Sequence, residues 1–569
     1  MLGGDRGRGR RGGGGDIASS ASSTSSSSGR MQFTPLDQQQ QQQPVNGDGD
    51  DNDDRNDRRR GRMEPLEIES NDGLTSSTDD DDVRLMNNGD ESSWQDEEQE
   101  TAEGGVLLNV IEDPHAQGMG GDLVSAVFGI IKAMVGPAIL YLPHGFAQAG
   151  YMFAVPILLL STALYLSSST CLLDCWKLER SRRSSTASSS ATSAHSSLSY
   201  PELALGAFGT RGETLVKIGI AAMQSGVCLT YLIFVPQNLQ ASVRILTGND
   251  VPMLYFLWLM VVVEIPLSWI QNVRHFTITN VLANFLILYG LLTCLGFAAN
   301  NLIESSTTEE QLEDGTDNNT EEEQNDIVDI DAEIIAVGPF QNIIQKMSEL
   351  RPFGPGWFLF IGTSVLLFEG SITLLVPLQE AVDREEDKKK FPSLYWKVIL
   401  GIICFYSLFG VFSWLSFGDE VTTAMTTSLP KTTLATTVQL AYSVAVVFTF
   451  PLQNFPSLEI TTRTIQTSLR HIPLLPRTCS MILQNRNLIS SVVVCLLALV
   501  ASVTLDRLDK VVSLMGSLLG CPLAFVFPPL IHNRLDPDLS ARRRIQNVMV
   551  AALGLLAMVF ASLTTIIAW

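Results

Sequence analysis

The chain has 569 residues, 60 acidic against 38 basic side chains, a net charge of −22 and 45% apolar residues. The charge is segregated: residues 1–104 carry 24 acids and 11 bases, residues 300–338 carry 13 acids and no base, and the other 426 residues are left at +4. This excludes a nucleic-acid binder, which needs a basic face. It also excludes a single soluble globule, whose core could not hide so much uncharged apolar sequence.

In chain order, residues 1–118 read as a disordered acidic cytosolic tail. Their Arg/Gly and Ser runs, Gln38–Gln43 and Asp79–Asp82 cannot bury enough apolar surface to offset the entropy of ordering. No apolar stretch near Met1 resembles a signal peptide, so the first span is expected to serve as the targeting signal. Within the tail, Glu103-Gly-Gly-Val-Leu-Leu108 looks like an acidic dileucine sorting signal, which favours a vacuolar or lysosomal membrane over the plasma membrane. The plainer alternative is that Leu107-Leu108 opens an interfacial helix.

Residues 119–569 form the membrane domain. Windows without Asp, Glu, Lys or Arg run over 133–173 (long enough for two spans, divided at Gln148-Ala149-Gly150), 218–243, 275–303, 398–417, 432–458, 487–504, 511–533 and 545–569. Two further windows hold one acid each: 251–273 with Glu264 and 352–379 with Glu369. A membrane helix needs about 20 mostly apolar residues to cross a core about 30 Å thick, so about eleven spans are expected. With a cytosolic N-terminus, the inward loops hold 18 Lys+Arg and the outward loops six, a positive-inside pattern. The sequon Asn318-Asn319-Thr320 then falls in the outward acidic loop at 300–354, where Asn318 could be glycosylated. The Ser-rich stretch 177–212, containing Arg180-Ser181-Arg182-Arg183, reads as a cytosolic loop. It is a tolerated linker or, because bases flank the serines, a phosphorylation site. Six cysteines (171, 228, 294, 404, 495 and 521) lie in spans, while Cys175 and Cys479 face the cytosol, so no disulfide framework is expected.

Two spans are interrupted. The first carries Gly136-Pro137 in mid-membrane, where proline removes a backbone donor and clashes with the preceding turn. The sixth carries Glu369-Gly370-Ser371. In each, the interrupting glycine is followed seven residues later by proline, Pro143 and Pro377. Span six opens a second set of five, so the breaks correspond, and paired interruptions in two halves point to an inverted-repeat transporter site. Unwound backbone is tolerable in a membrane only where it lines a cavity. Its amides suit a carboxylate and its carbonyls an ammonium group, and an α-amino acid carries both. Either break alone could equally be a kink.

An ionised carboxylate inside a bilayer is expensive and is a functional candidate by default. Glu369 could take up and release a proton between outward and inward states, or bond structurally to exposed amides. For Glu264 the expectation is pairing with a neighbouring helix. Lys132 lies nearer the cytosolic end of span one and can snorkel. Tyr231, midway along span three, could offer the substrate a hydroxyl or simply pack.

These segments resemble the amino acid/auxin permease family, in its proton-assisted and vacuolar branches. The resemblance rests on Gly136 to Gly150, Phe368-Glu-Gly with Val376-Pro-Leu-Gln-Glu380, Lys390-Phe-Pro, and Phe417-Gly-Asp-Glu-Val421 running to Leu429-Pro430. It extends to Phe450-Pro-Leu-Gln-Asn-Phe-Pro456 and Gly516-Ser-Leu-Leu-Gly-Cys-Pro-Leu-Ala-Phe-Val-Phe-Pro-Pro529. It covers about residues 120–569 and implies an all-α membrane fold with a LeuT-type five-plus-five inverted repeat, an eleventh helix, and proton-coupled amino acid symport. Carried over by position, the unwound first-span segment falls on Val135, Gly136, Pro137 and Ala138. The sixth-span motif falls on Phe368, Glu369 and Gly370, with Ser371 beside it. The family often has Asn where Met134 stands and Gly where Ala138 stands, so a smaller, more apolar pocket for small neutral amino acids is expected.

No Gly-Lys dipeptide occurs, which excludes a Walker A pump, and the six histidines are scattered without an HExxH. No enzyme, metal or cofactor is called for. The expected partners are an amino acid, protons and the lipid bilayer. An amino-acid-sensing receptor on the same scaffold and an uncoupled facilitator are the alternatives.

Overall fold

The computed structural model describes residues 122–187, 198–270, 276–313, 346–348, 350–470 and 485–569. The tail expected over 1–118, the dileucine pattern, Asn318 and Cys479 lie outside the described residues.

Among the described residues every regular element is helical. Nine helices among these residues are long and apolar enough to cross a membrane, and Leu123–Met134 with Pro137–Ala149 form a further span bent by 44°. Met253–Ser268 is an apolar helix of 16 residues, about 24 Å long. Together they occupy the expected windows in order. Span one covers 123–149, two Tyr151–Ala187, three Tyr200–Thr247, four Met253–Ser268 and five Phe276–Glu313. Span six is Trp357–Glu380, seven Glu385–Phe417, eight Thr433–Arg470, nine Arg486–Thr504, ten Leu508–Leu535 and eleven Ala541–Ile567. Exposed Leu282, Phe285, Leu496, Leu499, Leu555 and Leu556 give spans five, nine and eleven the apolar outer surface that lipid requires.

Helix extends further than a charge count can see. Span two continues through Ala187, and a helix from Tyr200 leads across a kink at Gly209 into span three, so most of 177–212 is helical rather than loop. Span five likewise runs to Glu313, into the stretch read as an acidic loop from residue 300. Span one begins at Leu123, ten residues before its charge-free window, and carries Lys132 within it. A helix satisfies its own backbone donors and acceptors, so it need not stop where its side chains become polar.

The two interrupted spans run antiparallel. The first half of span one packs on the second half of span six, and the second half of span one packs on the first half of span six. The Phe146 and Phe360 rings, 5.2 Å apart, join that second pair. This exchange of halves is what a twofold axis in the membrane plane imposes on corresponding helices of two inverted repeats. Span six also meets span ten closely: a methyl group on Gly362 or Gly516 would collide with the other helix's backbone. Along this contact span ten widens into π-helical turns over Met515–Gly520 and Pro522–Val526.

Candidate functional site

Leu123–Met134 ends at Val135, whose φ of −76° and ψ of 95° are extended, and Gly136 is extended as well. Pro137, lacking an N–H, then opens a 3₁₀ turn through Tyr141 before helix resumes at Leu142. Span one is therefore interrupted at the expected residues. In span six the interruption differs from the expected one. Helix stops at Leu366 and restarts at Glu369, with Leu367 and Phe368 in a tight turn held by Phe368 N donating to Val365 O at 3.1 Å. Gly370 is not the breaker. It lies in the first turn of the second half-helix, where a side chain would strike the carbonyl of Ala133 in span one. Its missing Cβ is what brings the two breaks together.

Each break leaves polar backbone without intrahelical partners. The first half of span one directs its last carbonyls at the junction, and one of them, Met134 O, accepts from the buried Tyr406 hydroxyl of span seven at 2.7 Å. The second half of span six directs its first amides, Glu369 to Ser371, at the same junction. A negative and a positive helix end thus face a common space.

That space is a cavity of about 210 Å³. Val135, Gly136, Pro137, Ala138, Tyr231, Glu369 and Gly370 line it, so seven of the nine residues read from the sequence as substrate-binding meet there. The other two turn away. Phe368 is fully buried and stacks on Tyr165 with ring centroids 4.4 Å apart. Ser371 is bonded to the Tyr165 hydroxyl and, at 3.3 Å, accepts from Tyr395 in a closed hydroxyl cluster between spans two, six and seven. Lys132 reaches the cavity wall instead of the bundle's outer rim.

Sequence reasoning missed the polar half of the wall. Gln224 of span three and Gln453 of span eight both donate to Glu369 Oε1, at 2.9 and 3.2 Å, and Gln453 also donates to Gln224. Asn280 and Asn284 of span five, one helical turn apart, line the same cavity with Thr373 and Thr449. The expectation of a small apolar pocket, drawn from Met134 and Ala138, therefore describes only one side of it. A neutral amide does not interrupt a charge-free window, which is why these residues gave no signal.

The chain matches the family described as "Transmembrane amino acid transporter protein" over residues 119–567. The chain belongs to that family. It is 26% identical to Vacuolar amino acid transporter 4 of Saccharomyces cerevisiae over 71% of this chain and 52% of that protein. It is 24% identical to Vacuolar amino acid transporter 3 of Schizosaccharomyces pombe over 77% of this chain and 57% of that protein. It thus spans little more than half the length of these yeast relatives. It is 26% identical to Amino acid transporter ANT1 of Arabidopsis thaliana over 81% of this chain and 96% of that protein. Among solved structures it is similar to Mhp1, a nucleobase-cation-symport-1 family transporter, at 13% identity over 77% of this chain and 92% of that one, with a TM-score of 0.38.

In this member of the amino acid transporter family the cavity is lopsided. Its lining residues in spans three, five, six and eight lie from the breaks toward the face where span one starts, the N-terminal face, while in span one the lining continues past the break to Tyr141. Toward the opposite face Tyr141, Phe234 and Tyr442 close over it, all buried, with successive ring centroids 6.2 and 6.3 Å apart. Beyond them the turn Met425–Ser428 is fastened down. Thr426 Oγ1 donates to Asn238 Oδ1 at 2.6 Å, Gln439 Nε2 to Thr426 O at 3.1 Å, and Ser242 Oγ to Gln439 Oε1 at 2.9 Å. On the N-terminal face Glu380, at the end of span six, accepts from Arg180 and Trp176 of span two, each at 2.7 Å.

Proposed function

We propose that the protein is a secondary active transporter that moves neutral amino acids across a membrane, coupled to protons, by alternating access. The observation that carries this reading is the cavity at the two joined breaks, with helix ends of opposite polarity facing it and Glu369 in its wall. The substrate α-ammonium lies against the carbonyls ending at Val135 and its α-carboxylate against the amides opening at Glu369. Polar groups of spans three, five and eight take the side chain, so the range includes hydroxyl- and amide-bearing neutral amino acids. The excess of Lys and Arg on the N-terminal face puts that face in the cytosol, and the fungal relatives, named as vacuolar, favour an endomembrane location.

Purified protein in proteoliposomes, given a panel of radiolabelled amino acids with and without an imposed pH gradient, tests the reading. Concentrative uptake of neutral amino acids only with the gradient is expected. Flux indifferent to the gradient would make the protein a facilitator, and saturable binding without flux would make it a receptor.

Two side chains outside the cavity have measurable consequences. Tyr406→Phe leaves the Met134 carbonyl without its donor at the place where span one unwinds. A lost buried hydrogen bond costs about 1–2 kcal/mol, so substrate affinity by equilibrium binding should fall roughly tenfold while the melting temperature changes little. Thr426→Val strands Asn238 Oδ1 only in the conformation closed toward the far face. The equilibrium should shift toward the state open there by about tenfold. The check is the rate at which an impermeant thiol reagent, applied from that face, labels a single cysteine placed at Val235.

A further inference from the structure

Span four holds a second acid inside the bundle. Glu264 is fully buried, and neither of its carboxyl oxygens has a hydrogen-bond partner. The pairing with a neighbouring helix expected from the sequence is therefore absent among the described residues. Span four packs against spans three, eight and nine. From span three the titratable group in electrostatic range is Cys228, which lies in range of Glu369 as well. The acid of span eight, Glu459, is taken by Arg463 at 2.5 Å and by Arg486 of span nine at 2.8 Å. The remaining titratable group of span nine, Cys495, is exposed on the outer surface. Asn454 of span eight lies one turn beyond Phe450, whose carbonyl accepts from the Cys228 thiol at 4.0 Å. Asn454 is also fully buried, and neither of its amide atoms is partnered.

Closed off from bulk solvent, an ionised carboxylate at Glu264 would have no donor and no counter-charge among the described residues. The neutral acid removes the charge, and nothing in its surroundings replaces the proton. Glu264 does not line the central cavity, so that cavity gives no access to its carboxyl in this conformation. Glu264 and Glu369 both lie within electrostatic range of one position of span three, Cys228. A movement of span three against spans four and eight that admits water at Cys228 reaches both acids.

We propose that Glu264 is a second proton-binding site, occluded in the conformation described here and exchanging when the bundle rearranges, so that transport carries a proton at Glu264 as well as one at Glu369. The inference rests on the proton-coupled reading above. It is tested by measuring protons moved per substrate in proteoliposomes for the native protein, Glu264→Gln and Glu369→Gln. Glutamine mimics the neutral acid but cannot exchange its proton, so Glu264→Gln should keep substrate flux and lose one of the two protons. A Glu264→Gln variant with native flux and the native proton ratio overturns the proposal and leaves coupling at Glu369 untouched. Native protein that moves substrate without protons overturns the coupling reading and this proposal with it. If Glu264→Gln fails to fold, the native protein is treated with a hydrophobic carbodiimide, which modifies protonated buried carboxyls. Labelling of Glu264 during substrate turnover, well above that in the resting protein, supports the proposal. Equal labelling in both conditions, or none in either, overturns it.

Discussion

Glu369→Gln is expected to remove the proton carried at Glu369, and with it most of the accumulation driven by a pH gradient, while leaving substrate binding within about threefold of native, the scale of one altered hydrogen bond. Glu369 Oε1 accepts from Gln224 and Gln453, and a glutamine carbonyl at the same place can accept both, so the wall of the cavity keeps its shape. The substitution removes only the capacity to gain and lose a proton in a site where charge is expensive. Native uptake should rise with an imposed gradient. Uptake by the variant should respond far less, with at most the share that one proton at Glu264 can drive, while exchange of labelled for unlabelled substrate at equal concentrations continues. If Glu369→Gln concentrates substrate as the native protein does, the coupling assignment is wrong. If it neither binds nor exchanges, Glu369 is instead a structural partner of the two glutamines.

The difference between what could and could not be read from the sequence follows from what each signal measures. Spans were legible because lipid removes charge from long windows, and that pattern is one-dimensional. The break at Gly136-Pro137 was legible because proline forbids a helical hydrogen bond wherever it sits in the chain. Span six has no proline at its break, so the sequence marks Gly370 instead, although helix stops at Leu366 and the turn is Leu367–Phe368. Gly370 matters for what lies across from it, which no local pattern reports. Gln224, Gln453, Asn280 and Asn284 were hidden for the same reason, since neutral amides become a site only when the three helices that carry them converge. Ser371 and Phe368 share a helical turn with Glu369 but point at Tyr165, and adjacency in sequence cannot tell those directions apart. Glu264 shows the opposite failure. Its position inside a span was plain, but its lack of a hydrogen-bond partner among the described residues is visible only in three dimensions.

Gly370→Ala should be among the most damaging single-methyl changes in the membrane domain, and Gly136→Ala should be mild for folding, although the sequence marks both glycines alike. A Cβ at Gly370 would fall on the Ala133 carbonyl, backbone that cannot swing aside as a side chain can. The second half of span six would have to retreat from the first half of span one, opening the junction at which the carbonyl and amide ends face each other. Overpacking of this kind costs about 1–3 kcal/mol, and a displacement on the order of 1 Å at a positioned site costs on the order of a hundredfold in rate. Gly370→Ala should therefore lower the melting temperature in detergent and reduce uptake about a hundredfold. At Gly136 a Cβ would meet nothing within 4 Å, because that side of the residue faces the cavity. Its extended backbone also suits alanine. Gly136→Ala should melt like the native protein and show its effect in substrate affinity alone, with bulkier amino acids losing most. The pair is decisive because the two substitutions are chemically identical. If Gly370→Ala melts and transports as the native protein does, the two breaks are not held together by the close approach at Ala133, and the cavity between them needs another architect.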